Sequence, residues 1–248
     1  MTDKEIILEY LEAGSIGSIN LRGAKLMGMH LVKVDLSGAD LSFADLSGAN
    51  LTKANLNGSN LIGANLNGAK LRGADLSNAN ISGANLSGAI LIRTKLCYSK
   101  LVETNLSGAN LKGANLVEVN LMFANLKNTI MIGANLPKAE LSFVNLSTVN
   151  LVSANLSGAY LCDANLSGTN LSGADLFYAD LTDANLSNAN LSGADLSDAN
   201  LNGTNLNGAN LMGAKLFSTV QKKSKIHVNG QSQSKLVINQ LQPELMTV

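Results

Sequence analysis

Two histidines, two cysteines and many hydroxyls are the reactive groups this chain offers. A nucleophilic triad needs a histidine within hydrogen-bond reach of both a hydroxyl and a carboxylate. A zinc site needs several His, Cys or carboxylate ligands converging on one point. His30 stands near the start of the chain and His227 near its end, so no histidine-based triad or metal cluster can be assembled from them. Cys97 and Cys162 are too few for a disulfide scaffold and read as free thiols in a reducing compartment. Glycine is abundant, but a phosphate loop also needs a helix start directly after it, and none follows. The expectation is a protein with no catalytic residues, no cofactor and no metal.

The totals narrow the class of partner. Lys plus Arg is 18 and Asp plus Glu is 18, so no net field draws in nucleic acid or an anionic membrane. Tryptophan is absent and aromatics make up 4% of the chain, which leaves little with which to stack bases. No stretch approaches 18 apolar residues, and Met1-Thr2-Asp3-Lys4-Glu5 lacks the basic and apolar pattern of a secretion signal. The expected location is therefore the cytoplasm. A protein partner is expected, and neither nucleic acid nor a membrane is.

The elements that must position any site follow from one pattern. Leucine recurs at every fifth position from Leu21 to Leu216: of these 40 positions, 38 are Leu and the others are Ile81 and Met131. Taking this residue as i, position i−2 is Ala in 27 units, i−1 is mostly Asn or Asp, i+1 is often Ser and i+2 is Gly in 20. On an α-helix, a step of five rotates the side chain by a net ~140°, scattering the leucines around the cylinder. On a straight strand an odd step flips each leucine to the other face. A pattern that suits neither element requires a bend in every unit.

The chemistry of the bend is visible. Glycine at i+2 supplies the positive φ of the second central residue of a type II turn, as in Leu36-Ser37-Gly38-Ala39. Asn78, Asn128 and Asn188 tolerate the same geometry, and Pro137 sits at i+1, where such a turn accepts it. Phe43, Glu103, Phe123 and Lys138 are bulky at i+2, and a different turn is expected there. Between turns, i and i−2 point to one side and i−1 to the other. Leu41, Leu46, Leu51, Leu56, Ile81 and Met131 are thus expected in a narrow core filled by large Leu and small Ala.

The run from Ala39 to Leu51, Ala-Asp-Leu-Ser-Phe-Ala-Asp-Leu-Ser-Gly-Ala-Asn-Leu, resembles the pentapeptide-repeat proteins, as does the run from Ala184 to Leu216. The resemblance implies an all-β solenoid: a right-handed quadrilateral β-helix with four units, or 20 residues, per coil. Forty units then make about ten coils and, at ~4.8 Å per coil, a rod ~48 Å long. The expected organisation is an N-terminal capping region at 1–15, the β-helix at 16–216, and a C-terminal cap or tail at 217–248. Residues 3–13 read as an amphipathic helix with Ile7, Leu8 and Leu11 on one face, closed by Gly14. In the tail, the residues around Asn229-Gly230 read as a hairpin, an edge cover or a homodimer contact, with a frayed end as the alternative.

What remains for function is surface. With residues 20 apart stacked, Ile90, Ile92, Ile130, Ile132 and Val152 form one apolar column, with Lys112 among them. A neighbouring face is expected to carry Ile62, Val102, Met122, Phe123 and Phe143, with the two phenylalanines directly stacked. The third departure is charge. Residues 139–214 hold Glu140, Asp163, Asp175, Asp180, Asp183, Asp195 and Asp198 with no Lys or Arg, whereas 93–138 hold six basic groups and two acidic ones. Some pentapeptide-repeat proteins bind DNA gyrase or a related topoisomerase as acidic mimics of duplex DNA. DNA carries a charge every ~1.7 Å, and seven carboxylates over ~18 Å fall short of that density. The leading expectation is a rigid, non-catalytic protein-interaction or scaffold module, with the DNA mimic as its alternative.

Overall fold

The computed structural model describes Glu5, residues 19–219, 227–228 and 231–232. Apart from Glu5, the helix expected over 3–13 lies outside the described residues. In the C-terminal segment, β1 (His227–Val228) pairs antiparallel with β2 (Gln231–Ser232), on either side of the Asn229-Gly230 pair, where a hairpin is one of the alternatives the sequence leaves open.

Residues 19–219 wind as a coil with one turn per five residues. Each i−1 residue except Asn125 bridges in parallel to the residue 20 further along, from Asn20 with Asp40 to Asp195 with Lys215. Three backbone bonds per unit make the ladder. Around Leu71, Lys70 N–H donates to Ala49 C=O (2.9 Å), Leu71 N–H to Ile90 C=O (2.8 Å) and Gly73 N–H to Ile92 C=O (3.0 Å). Five residues per corner and 20 per register step give four corners per coil. The extended piece between corners is so short that pairing takes the form of single bridged residues rather than continuous strands.

The inward and outward assignment follows the side-chain alternation. Leu41, Leu46, Leu51, Leu56, Ile81 and Met131 are fully buried, as are the alanines at i−2 beside them. Threonine replaces Ala in the core only where its hydroxyl finds a carbonyl: Thr94 donates to Leu71 C=O (2.8 Å) and Thr204 to Leu181 C=O (2.8 Å), each 23 residues back. The recurrent Asn or Asp at i−1 has a structural task that solubility alone does not explain. Its Oδ1 accepts the N–H of residue i+1, as Asp35 does from Ser37 (3.0 Å) and Asn105 from Ser107 (3.1 Å), which caps the turn. Where the residue is Asn, its Nδ2 donates to the equivalent residue one coil earlier, as Asn105 does to Asn85 (3.2 Å).

The turns correct one expectation. At i+2 from Gly23 to Ser218, Thr148 excepted, φ lies between 51° and 72°. Phe43 (60°), Glu103 (58°), Phe123 (60°) and Lys138 (54°) take the same left-handed conformation as glycine. Their side chains project outward without obstruction, and most are held by the ladder itself: Phe43 N–H donates to Ile62 C=O (2.9 Å) and Lys138 N–H to Ser157 C=O (2.9 Å). The ladder thus imposes a strained φ that these residues alone would not choose.

Candidate interaction surface

The four corners and the 20-residue register fix which outward side chains share a face. Ile90, Ile92, Ile130, Ile132 and Val152 do lie on one face, but in two groups. Between them runs a polar row, Asn110 and Lys112, with Asn110 bridged to both Ile90 and Ile130. Ile90 and Ile130 are 38% and 37% exposed, and Ile92, Ile132 and Val152 are half-buried. Isoleucine at i−1 gives up the turn-capping acceptor that Asn provides there.

Ile62, Val102, Met122, Phe123 and Phe143 share a second face. It is two units, or half a coil, from the isoleucine face, so the two lie on opposite sides of the rod and are not neighbours. Phe123 and Phe143 occupy the same corner on successive coils at 61% and 60% exposure. Their rings are not stacked: among the described residues the one aromatic pair is Phe177 with Tyr178, edge to face at 4.4 Å. Each side chain leaves its corner outward, so equal register does not bring the rings together.

Tyr160 went unrecognised in the sequence, although it breaks the Asn/Asp rule at i−1. It is half exposed on the same face as Met122. With Glu118, Asn120, Met122, Lys138 and Glu140 it lines a shallow groove of about 530 Å³.

The acidic end is one-sided. Glu140, Asp163, Asp180 and Asp183 belong to the face of Tyr160 or its corner, and Asp175, Asp195 and Asp198 to the adjoining face. The other two faces carry no formal charge over residues 139–214. Cys162 registers this crowding. Burial pushes its thiol up to about 11, helped by Asp180, Asp163 and Glu140 around it. Burial also acts to raise the Asp180 carboxyl, but hydrogen bonds from the Thr182 hydroxyl and amide and from Cys162 and Asn200 outweigh it and hold the group below the usual carboxylate range. Asp195 lies low chiefly through the Ser197 hydroxyl, with Lys215 3.1 Å away.

Cys162 and Cys97 are both free, and they lie on different faces. His30 stands at i−1 on the isoleucine face, three coils before Ile90, bridged to Asn50. Among the described residues, no three His, Cys, Asp or Glu side chains gather so as to hold a metal ion. No helix there is long and apolar enough to cross a membrane.

A four-cornered β-solenoid built on Ala-(Asn/Asp)-Leu-Ser-Gly, whose buried departures from that consensus stay small or aliphatic, defines the class. The family profile described as Pentapeptide repeats matches eight times, from 19–58 through to 179–216, and the chain belongs to that family. The family's fold is the right-handed, four-sided β-helix. Among solved structures the chain is similar to HetL, a pentapeptide repeat protein involved in heterocyst differentiation regulation from the cyanobacterium Nostoc sp. strain PCC 7120. That likeness has 36% identity over 92% of this chain and 100% of that one, with a TM-score of 0.40. It is also similar to a thylakoid-lumen pentapeptide repeat protein of Arabidopsis thaliana, at 30% identity over 44% and 69% of the two chains and a TM-score of 0.27. A third is QnrB1, a plasmid-mediated fluoroquinolone resistance protein, at 22% identity over 81% and 91% and a TM-score of 0.40. No curated protein matches the chain.

Proposed function

We propose that this protein is a non-catalytic, cytoplasmic rod of about ten coils that binds a protein partner through its outer faces. The observation that carries this reading is the pair of isoleucines at i−1. Ile90 and Ile130 stand where the fold uses Asn or Asp to cap the turn, and each forgoes a hydrogen bond with a net contribution of about 0.5–1.5 kcal/mol. The apolar column they head, and the half-buried Met122 with the exposed Phe123 and Phe143 opposite, offer contact area on an otherwise Asn- and Ser-rich surface.

The test uses Ile90→Asn with Ile130→Asn, which restores the consensus and leaves the rod folded. Affinity capture from the source cells, quantified against wild type, is expected to lose a defined partner. A companion Phe123→Asp variant tests the opposite face. Partner recovery unchanged in both variants overturns the reading, and sedimentation of the purified chain distinguishes a second copy from a foreign partner.

A second reading has one observation in its favour, the confinement of seven carboxylates to two adjoining faces. On that reading the acidic end imitates the phosphate backbone and binds DNA gyrase or a related topoisomerase. A supercoiling assay with purified gyrase decides it: neither inhibition nor protection at micromolar protein removes this reading.

A further inference from the structure

The ladder is complete from Leu21 to Lys215 except in one place. Among the described residues, six expected backbone bonds are missing: Phe123 N–H to Ser142, Leu126 to Asn145, Asn128 to Ser147, Asn145 to Ala124, Thr148 to Ser167 and Asn170 to Val149. Five of the six involve residues 145–149, the turn Leu146 to Val149 and the residue before it; the sixth, Phe123 to Ser142, lies at the preceding corner. The bridge from Asn125 to Asn145 is missing with them, while those on the other three faces of the same coils are intact. The Asn side-chain ladder also stops here. Asn125 reaches Asn105 (3.1 Å) and Asn165 reaches Asn145 (3.2 Å), but Asn145 does not reach Asn125.

The cause is in the sequence. Thr148 alone among the i+2 residues between Gly23 and Ser218 stays out of the left-handed region. Phenylalanine, lysine and glutamate accept that region under the ladder's constraint. A β-branched residue pays a larger steric penalty there, because two heavy atoms on Cβ crowd the backbone. The turn still closes, with Val149 N–H donating to Leu146 C=O at 2.9 Å, and Leu146 N–H still reaches Asn165 C=O (2.7 Å), but the Thr148 amide and the Ser147 and Val149 carbonyls no longer bond the neighbouring coils. The Thr148 hydroxyl partly compensates by accepting Asn128 N–H at 3.0 Å, in place of the Ser147 carbonyl. A cleft of about 320 Å³ lies beside the unpaired groups, lined by Ala124, Asn125, Leu126, Lys127, Asn145 and Thr148. Phe123 directly precedes Ala124 of this cleft, and Phe143 stands at the equivalent corner one coil on.

We propose that the Thr148 turn is a built-in point of flexure. The rod is stiff on either side of it and opens at this one corner, changing both the angle between the two halves and the spacing of Phe123 and Phe143. The three intact faces act as the hinge, and the unpaired corner is the side that gapes.

Hydrogen–deuterium exchange on the full chain tests this. Amides of 123–128 and 142–149 are expected to exchange at least about tenfold faster than those of 103–108 and 163–168, which occupy equivalent corners. Thr148→Gly, free to take the left-handed turn, is expected to erase the difference. The reciprocal variant Gly88→Thr is expected to open a second fast-exchanging patch around 85–89 and its neighbouring coils. The Cβ position at Gly88 meets nothing within 4 Å, so only its φ of +66° is at issue. Uniform protection in wild type overturns the proposal. So does fast exchange that Thr148→Gly fails to slow.

Discussion

Leu66→Ala tests the claim that one file of aliphatic side chains along the axis holds the rod together. Leu66 is fully buried and stands in register with Leu46 and Leu86 on the coils to either side. The substitution removes three carbons. At about 0.8 kcal/mol per buried methylene, the transfer contribution is near 2.4 kcal/mol. A cavity contribution is added because the walls cannot move in: Leu46 N–H to Asn65 C=O and Leu66 N–H to Asn85 C=O, both 2.7 Å, clamp the backbone from both sides. The expected loss is about 4 kcal/mol, in the upper part of the range for Leu to Ala. Leu211, on the last complete coil, is only partly buried, and its substitution by Ala is expected to cost about 1 kcal/mol. In a stack where each coil touches only its neighbours, a central lesion weakens two interfaces and a terminal one weakens little more than one. Guanidinium titration followed by far-ultraviolet circular dichroism measures both. Equal costs for the two variants, or a Leu66→Ala cost below about 1 kcal/mol, would refute the single-core account.

Three further outcomes follow from side-chain environments. Hydrogen bonds from Ser37, Ser42 and Ser47 hold the Asp35, Asp40 and Asp45 carboxyls low, and Asp180 and Asp195 are also depressed. A folded-state value below the unfolded one contributes stability that is complete above the unfolded value of 3.8 and lost as pH falls through the folded values. The melting temperature is therefore expected to stay level from about pH 6 to 8 and to drop below about pH 4; a drop beginning near neutrality contradicts this. Cys162, with its thiol near 11, is expected to alkylate about 100-fold more slowly at pH 8 than an ordinary free thiol, and faster in Asp180→Asn. Labelling at the ordinary rate would show that the acidic faces do not crowd it. Ser59 is buried with its hydroxyl unpartnered, so Ser59→Ala is expected to leave the denaturation midpoint unchanged or raise it, whereas Thr94→Ala, which removes a 2.8 Å bond, lowers it.

Much of the fold was legible because each unit repeats the same chemistry. Leucine and alanine two apart had to share a side, and glycine at i+2 had to turn the chain. The number of corners was not legible from spacing, since the angle of each bend is not written in any residue; it came with the family resemblance, and the 20-residue register in the structure agrees with it. The candidate site was less legible. The isoleucine column assembled as expected, but with a polar row of Asn110 and Lys112 through it. The phenylalanine face proved to be opposite rather than adjacent. Tyr160 could have been found by asking which i−1 positions lack an acceptor for the i+1 amide, but that question presupposes the Asx cap, which only the structure displays.

The turn residues teach a more general lesson about where local preference yields to context. Size was the wrong criterion at i+2. Phe43 and Lys138 are large, yet their bulk lies beyond Cβ, where a corner is open to solvent, and the ladder's bonds outweigh the modest cost of their positive φ. Thr148 is small, but its second substituent is on Cβ itself, where the backbone is close. A rod that overrules its neighbours' preferences at every other corner fails to overrule this one. Because each turn is bonded to coils on both sides, the failure spreads to six bonds across three corners instead of staying within one unit. The same connectivity that makes the solenoid stiff therefore turns one methyl group on one β-carbon into a mechanical feature of the whole molecule.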